Sequence, residues 1–219
     1  MSDNKTKSPA TNTLIAINVL IFLYIYANGG INNYEALVKY GAKINSLIVG
    51  GEYWRFFSSA FLHANLAHIA FNMYSLYNIG KLDESIFGSK KFIIIYFFSA
   101  LSGSIFSFVF SNSPSIGASG AIFGLLGAVL YLCRKYPRIL TSSFGINILV
   151  IIGLNIFYGL SNPQIDNFAH IGGLIGGYMS ANITGLKGDD RIDSKKLLFT
   201  AASILLVICG TIIGIKINS

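Results

Sequence analysis

The chain has 219 residues, 53% of them hydrophobic and only 11% charged, with a mean hydropathy of +0.61. So apolar a composition excludes an ordinary soluble domain and calls for surfaces that face lipid. The formal charge of +7 does not make it a nucleic-acid binder, because its Lys and Arg residues lie in short clusters between apolar runs rather than in one stripe.

A membrane-spanning helix needs about 20 residues, and the chain offers seven apolar stretches. A polar opening with Lys5 and Lys7 leads into the first, Thr11 to Ala27. It lacks a small-residue cleavage pattern before Asn28, so it reads as a retained span and not a removed signal. The connection from Asn28 to Tyr53 carries Tyr34, Leu37, Tyr40, Leu47, Ile48 and Val49 and runs into Trp54-Arg55. It is too apolar for a loop in water and is expected to lie in the membrane interface. The later spans are expected at Phe57 to Ile79, Phe92 to Ser111, Ser119 to Arg134, Ile146 to Leu160, Phe168 to Thr184 and Leu197 to Ile217. The fourth and fifth look short, which suits helices that begin below the membrane surface beside a cavity or other protein. Gly185 to Lys196 reads as a solvated charged loop. Cys133 and Cys209 fall in apolar segments and suggest neither a disulfide nor a metal site.

Orientation follows from the positive-inside rule. A cytoplasmic N-terminus puts Lys5, Lys7, Lys81, Lys90, Lys91, Arg134, Lys135, Arg138, Lys187, Arg191, Lys195 and Lys196 inside. Only Lys39, Lys43, Arg55 and Lys216 then lie outside.

Polar groups inside spans are expensive and mark function by default. All three histidines, His63, His68 and His170, sit in or at the end of apolar stretches. His68 and Asn72 are four apart and share one face of the second span, whereas His63 is expected on another face. The stretch has no HExxH and no carboxylate on these faces, so two donors suit an oxyanion better than zinc. No carboxylate is expected inside the spans.

The stretch from Gly117 to Gly124, GASGAIFG, follows a breaker at Pro114-Ser115 and places Ser119 in the first turn of a helix. There, unpaired backbone amides and the positive end of the helix dipole can meet a developing oxyanion. Gly117 and Gly120 let another backbone come close. Position 121 is Ala and no strand precedes the serine, which argues against the α/β-hydrolase elbow. Alone, Gly120, Gly124 and Gly127 with Ala128 would indicate close helix packing. His170 opens the sixth span with Gly173 and Gly177 beneath it, so two glycine-faced helices bring one serine and one histidine toward the same side. Asp166 sits four residues earlier, after Pro163, where a helix cap or solvent is the simpler reading than a triad acid.

GASG at Gly117 to Gly120, AHIGGLIGG from Ala169, HANLAHIAFN from His63 and Trp54-Arg55, in this order, resemble the rhomboid intramembrane serine proteases. Gly80, Glu84, Gly88, Phe92, Tyr96, Ser99 and Gly103 add weaker matches, and the resemblance covers about Gly51 to Gly177. It implies an all-α polytopic membrane protein, a six-helix rhomboid-like bundle plus one C-terminal transmembrane helix. The whole forms a single membrane domain over 1–219, with its core at about 11–184 and the added helix at about 197–217. It implies Ser119 as nucleophile and His170 as base. His68, Asn72 and the Ser119 N–H would form the oxyanion site, and Phe123 would pack on the imidazole. Trp54 and Arg55 match a loop motif in the outer leaflet. No cofactor or metal is implied. The expected partners are single-span membrane protein substrates and the lipid bilayer, in a bacterial-type cell membrane with the site toward the outside. A client-binding pseudoprotease and a small transporter are the rival readings. The transporter lacks paired charges or a two-fold repeat to support it.

Overall fold

The computed structural model describes residues 8–30 and 33–219; Lys5 and Lys7 lie outside the described residues. Within them the chain is helical, with no strand and one isolated bridge, Lys43 to Ser115. The helices are α1 (Pro9–Ala27), α2 (Tyr34–Tyr40), α3 (Asn45–Val49), α4 (Arg55–Ser58), α5 (Leu66–Ser75) and α6 (Lys81–Phe87). They continue as α7 (Ser89–Phe110), α8 (Ser119–Lys135), α9 (Pro137–Leu140), α10 (Ser143–Ser161), α11 (Asn167–Thr184) and α12 (Ser194–Asn218).

Side-chain caps set many of these boundaries. Asn33, Asn65, Ser142, Asp166 and Asp193 each accept a backbone N–H from the first turn of the helix that follows, while Pro9 opens α1. The Ser142 cap starts α10 three residues ahead of Ile146, so this helix has 19 residues and is not the short element expected.

The second span differs most from expectation. Instead of one helix over Phe57 to Ile79, α4 passes through a 3₁₀ turn at Ser59–Phe61 into extended backbone at Leu62. Asn65 then caps α5, which continues through a π-helical turn at Leu76–Gly80 into α6. Asn65 offers the backbone an alternative to helix, and its φ of −155° breaks the run. The extension to Phe87 also brings Asp83 into the protein, fully buried and with neither carboxylate oxygen hydrogen-bonded among the described residues. Asp83 lies four residues beyond Ile79, the expected end of this span. Glu84 beside it accepts from Ala10 N, Thr11 N, Thr11 Oγ1 and Ser89 Oγ at 2.7–3.0 Å, tying the start of α1 to α6 and α7.

Among the described residues four helices, α1, α7, α10 and α12, are long and apolar enough to cross a membrane. With the all-helical architecture, they define an integral multi-pass membrane protein. At the centre stand α7, α8 and α11, each packed on the other two. They approach closely because their facing positions are small. A methyl group at Gly173 would overlap the Gly120 carbonyl, one at Gly177 the Gly124 carbonyl, and one at Gly124 the Ser99 hydroxyl. Such backbone contact between helices is the arrangement that small residues permit inside membranes. The α7 serines serve the same packing: Ser99 and Ser102 return their hydroxyls to their own helix, onto the carbonyls of Ile95 and Ser99.

Candidate active site

The glycine contact between α8 and α11 sets the distance between their N-terminal ends. Ser119 begins α8 and His170 lies in the first turn of α11, so the two side chains meet, with His170 Nε2 2.9 Å from Ser119 Oγ. With the ring proton on Nδ1, the serine hydroxyl donates to Nε2. Phe123, one turn into α8, lies flat on the imidazole, with ring centroids 4.1 Å apart and planes 5° from parallel. His170 and Phe123 are buried, while Ser119 is half-exposed. The imidazole is thus fixed on one face by an aromatic ring, and the hydroxyl can still be reached.

Asp166 does not orient the imidazole. Its Oδ1 accepts from Ala169 N at 3.0 Å as the α11 cap, and its Oδ2 accepts from Ser107 Oγ on α7. His170 Nδ1 has no hydrogen-bond partner among the described residues. The geometry is that of a Ser-His pair whose histidine is held by its helix and by Phe123.

The turn before Ser119 is shaped by Gly117, whose φ of +116° suits glycine. His68 occupies the space that a side chain there would fill: a Cβ on Gly117 would stand 2.7 Å from His68 Nε2. The ring therefore faces the turn leading to Ser119. Asn72, one turn on and buried, gives one of its amide hydrogens to the His68 carbonyl at 2.9 Å. The two residues share the expected face of α5. His63 departs from expectation: it lies in the break before α5 and packs edge-on against His68, ring centroids 5.0 Å apart. No common helix separates their faces.

The connection between α1 and α5 braces this turn. Arg55, buried, donates to the carbonyls of Val38 and Ala42 at 2.7 and 2.9 Å and pairs with Glu52 at 2.7 Å. Its guanidinium lies 4.6 Å from the centre of the half-exposed Trp54 ring. Lys43 and Ser115 exchange backbone hydrogen bonds, and Gly117 N donates to Ser59 O at 2.9 Å, so the strand of chain entering α8 is held on both sides.

Lys43 is the residue that sequence reasoning passed over as an outside cation. It is fully buried, and its Nζ donates to the carbonyls of Ser107, Ser111 and Ser113 and to Asn45 Oδ1 at 2.9–3.3 Å. These are carbonyls at and beyond the C-terminal end of α7, where a helix favours positive charge. Burial pulls the ammonium down to about 8, against the opposing charge of Asp166. Nothing local in the sequence distinguishes Lys43 from the exposed Lys39.

A polytopic helical membrane protein that pairs a serine hydroxyl with a buried imidazole is the class these features define. Residues 50–187 match the family profile described as the Rhomboid domain, and the chain belongs to the rhomboid family. It is 44% identical over 202 residues to Rhomboid protease GluP of Bacillus subtilis (strain 168), covering 92% of this chain and 40% of that protein. It is 31% identical over 224 residues to Rhomboid protease AarA of Providencia stuartii, covering 89% and 79%. It is also 37% identical over 138 residues to Inactive RHOMBOID-like protein 8 of Arabidopsis thaliana, covering 62% and 39%. The chain thus spans about two fifths of the length of GluP and of the plant protein.

Proposed function

We propose that this protein is an intramembrane serine endopeptidase that cleaves the transmembrane segments of single-span membrane proteins. The observation that carries this reading is the 2.9 Å approach of His170 Nε2 to Ser119 Oγ on two glycine-seamed helices. Family membership and the protease names of GluP and AarA support it.

In this mechanism His170 takes the Ser119 proton as the oxygen attacks the scissile carbonyl. It then gives that proton to the leaving amine, and water hydrolyses the acyl-enzyme by the same route. Charge on the tetrahedral oxygen is met by the Ser119 N–H together with His68 and Asn72. The first-turn amides of α8 support that role, since they have no helical carbonyl to donate to. Phe123 holds the imidazole. Gly117 makes room for the His68 ring and Gly120 for the backbone of α11, and Trp54 and Arg55 frame the outer loop. A substrate helix must unwind to present its carbonyl, so helix-weakening and small residues are expected near the cut.

The architecture we assign is one membrane domain over 1–219, a six-helix core at about 11–184 with α12 added. The N-terminus is cytoplasmic in a bacterial-type membrane and Ser119 lies toward the outside. The lysine and arginine distribution supports that orientation.

Purified protein in detergent should cleave a single-span substrate with Gly or Ala in its outer segment. Ser119→Ala and His170→Ala should each lower the rate by up to about six orders of magnitude while retaining the fold. The likeness to a relative named inactive favours a second reading, a client-binding pseudoprotease. No cleavage by the wild type, together with no labelling of Ser119 by a fluorophosphonate, would select it.

A further inference from the structure

The stretch from Gly185 to Lys196 is more than a solvated loop. It folds against the inner ends of α8 and α11 and encloses, with the start of α12, a half-open cavity of about 550 Å³. Arg134 and Lys135 enter it from α8, and Arg191, Lys195 and Lys196 from the opposite wall. Its two carboxylates are already engaged. Asp189 is shared among Lys135, Lys196 and Arg191 at 3.4, 3.7 and 3.8 Å, and Asp193 accepts the Lys196 N–H as the cap of α12. Burial opposes ionisation of Asp189, but the hydrogen bond from Lys135 and the surrounding cations outweigh it and hold the carboxyl below its usual range. Asp189 therefore works as a hub that gathers cations without neutralising them. Five cations against two carboxylates leave the cavity with a net charge of +3.

The surroundings indicate what such a cavity holds. Ile192 lines it, and Leu197 and Leu198 on the first turn of α12 are exposed. An apolar surface that faces lipid thus begins at the rim of a basic pocket. Its volume falls within the ~300–1,000 Å³ of ordinary ligand sites, and basic pockets between helices at the cytoplasmic side suit anionic headgroups. A soluble anion would use the cations alone, whereas an amphiphile uses both features.

We propose that this cavity binds the phosphate headgroup of an acidic phospholipid of the inner leaflet, with the acyl chains along the exposed face of α12. The bound lipid bridges α8, α11 and α12 and adds to the direct packing of α12 on α7 and α11. This site is independent of the serine chemistry.

The test is native mass spectrometry of the full chain released from detergent micelles containing equal amounts of phosphatidylglycerol and phosphatidylcholine. A parallel sample contains inorganic phosphate without added lipid. The variant pair Arg191→Gln/Lys195→Gln removes two exposed cations of the pocket. Lys90→Gln/Lys187→Gln removes two exposed cations outside it. The wild type and the second variant should retain phosphatidylglycerol in preference to phosphatidylcholine, and the first should bind it roughly 30-fold more weakly. Equal retention of both lipids by the wild type, or an unchanged preference in Arg191→Gln/Lys195→Gln, overturns the proposal. Retention of inorganic phosphate without phosphatidylglycerol overturns the lipid assignment.

Discussion

The seam between α8 and α11 and the outer surface of α10 and α12 answer the same apolar surroundings in opposite ways. At the seam the side chains are nearly absent and backbones touch, so polar groups such as Ser119 and His170 can be set at fixed distances. On α12 only 11% of the most apolar stretch is buried, and on α10 only 22%, against 56% on α7. There the Leu and Ile residues face outward, and their shapes specify little beyond contact with lipid. Precision in this protein therefore comes from small residues, while bulky apolar ones secure residence in the membrane.

This contrast can be broken most severely at the seam. Gly173→Ala places a methyl against the Gly120 carbonyl, where only backbone movement relieves it. It should cost about 3 kcal/mol in thermal unfolding in detergent and separate Ser119 from His170, with loss of cleavage. Lys43, braced under the outer loop, gives a pH signature. Its folded value near 8 lies below the ordinary 10.5, so between these limits the unfolded chain binds more protons than the folded one. Wild-type stability should accordingly rise with pH across that window by up to about 1.4 kcal/mol per unit, and Lys43→Met should flatten the slope. Phe123→Leu keeps an apolar residue but removes the stacked ring, and a loss near 1 kcal/mol implies a roughly fivefold slower cleavage. The smallest effect belongs to the periphery. A methyl at Gly153 on α10 meets nothing within 4 Å, and Gly153→Ala should change stability by less than about 1 kcal/mol, in the stabilising direction.

Much of the contrast was legible in the chain. Gly120, Gly124, Gly173 and Gly177 marked two small-residue faces, and helical spacing put Ser119 and His170 at their ends. The meeting of those faces was inferable because both carried glycine at matching intervals. Lys43 was not legible, because burial of a cation depends on carbonyls of Ser107, Ser111 and Ser113 that lie more than sixty residues away. The same holds for Asp83, whose burial follows from the continuation of α5 through a π turn that hydropathy does not register. The break at Leu62 to Asn65 escaped because Phe61, Leu62, Ala64 and Leu66 keep the segment apolar while the cap of Asn65 interrupts it.

The Glu84 clamp bears on the order of events during synthesis. The amides of Ala10 and Thr11 at the start of α1 are received by a carboxylate made 73 or more residues later. At ribosomal rates of about 5–20 residues per second, that acceptor arrives roughly 4 to 15 seconds after the first turn of α1 leaves the peptidyl centre. During this interval α1 lacks the contact that fixes its first turn. α1 therefore waits unlatched, and translation of α6 is the moment at which it can be locked.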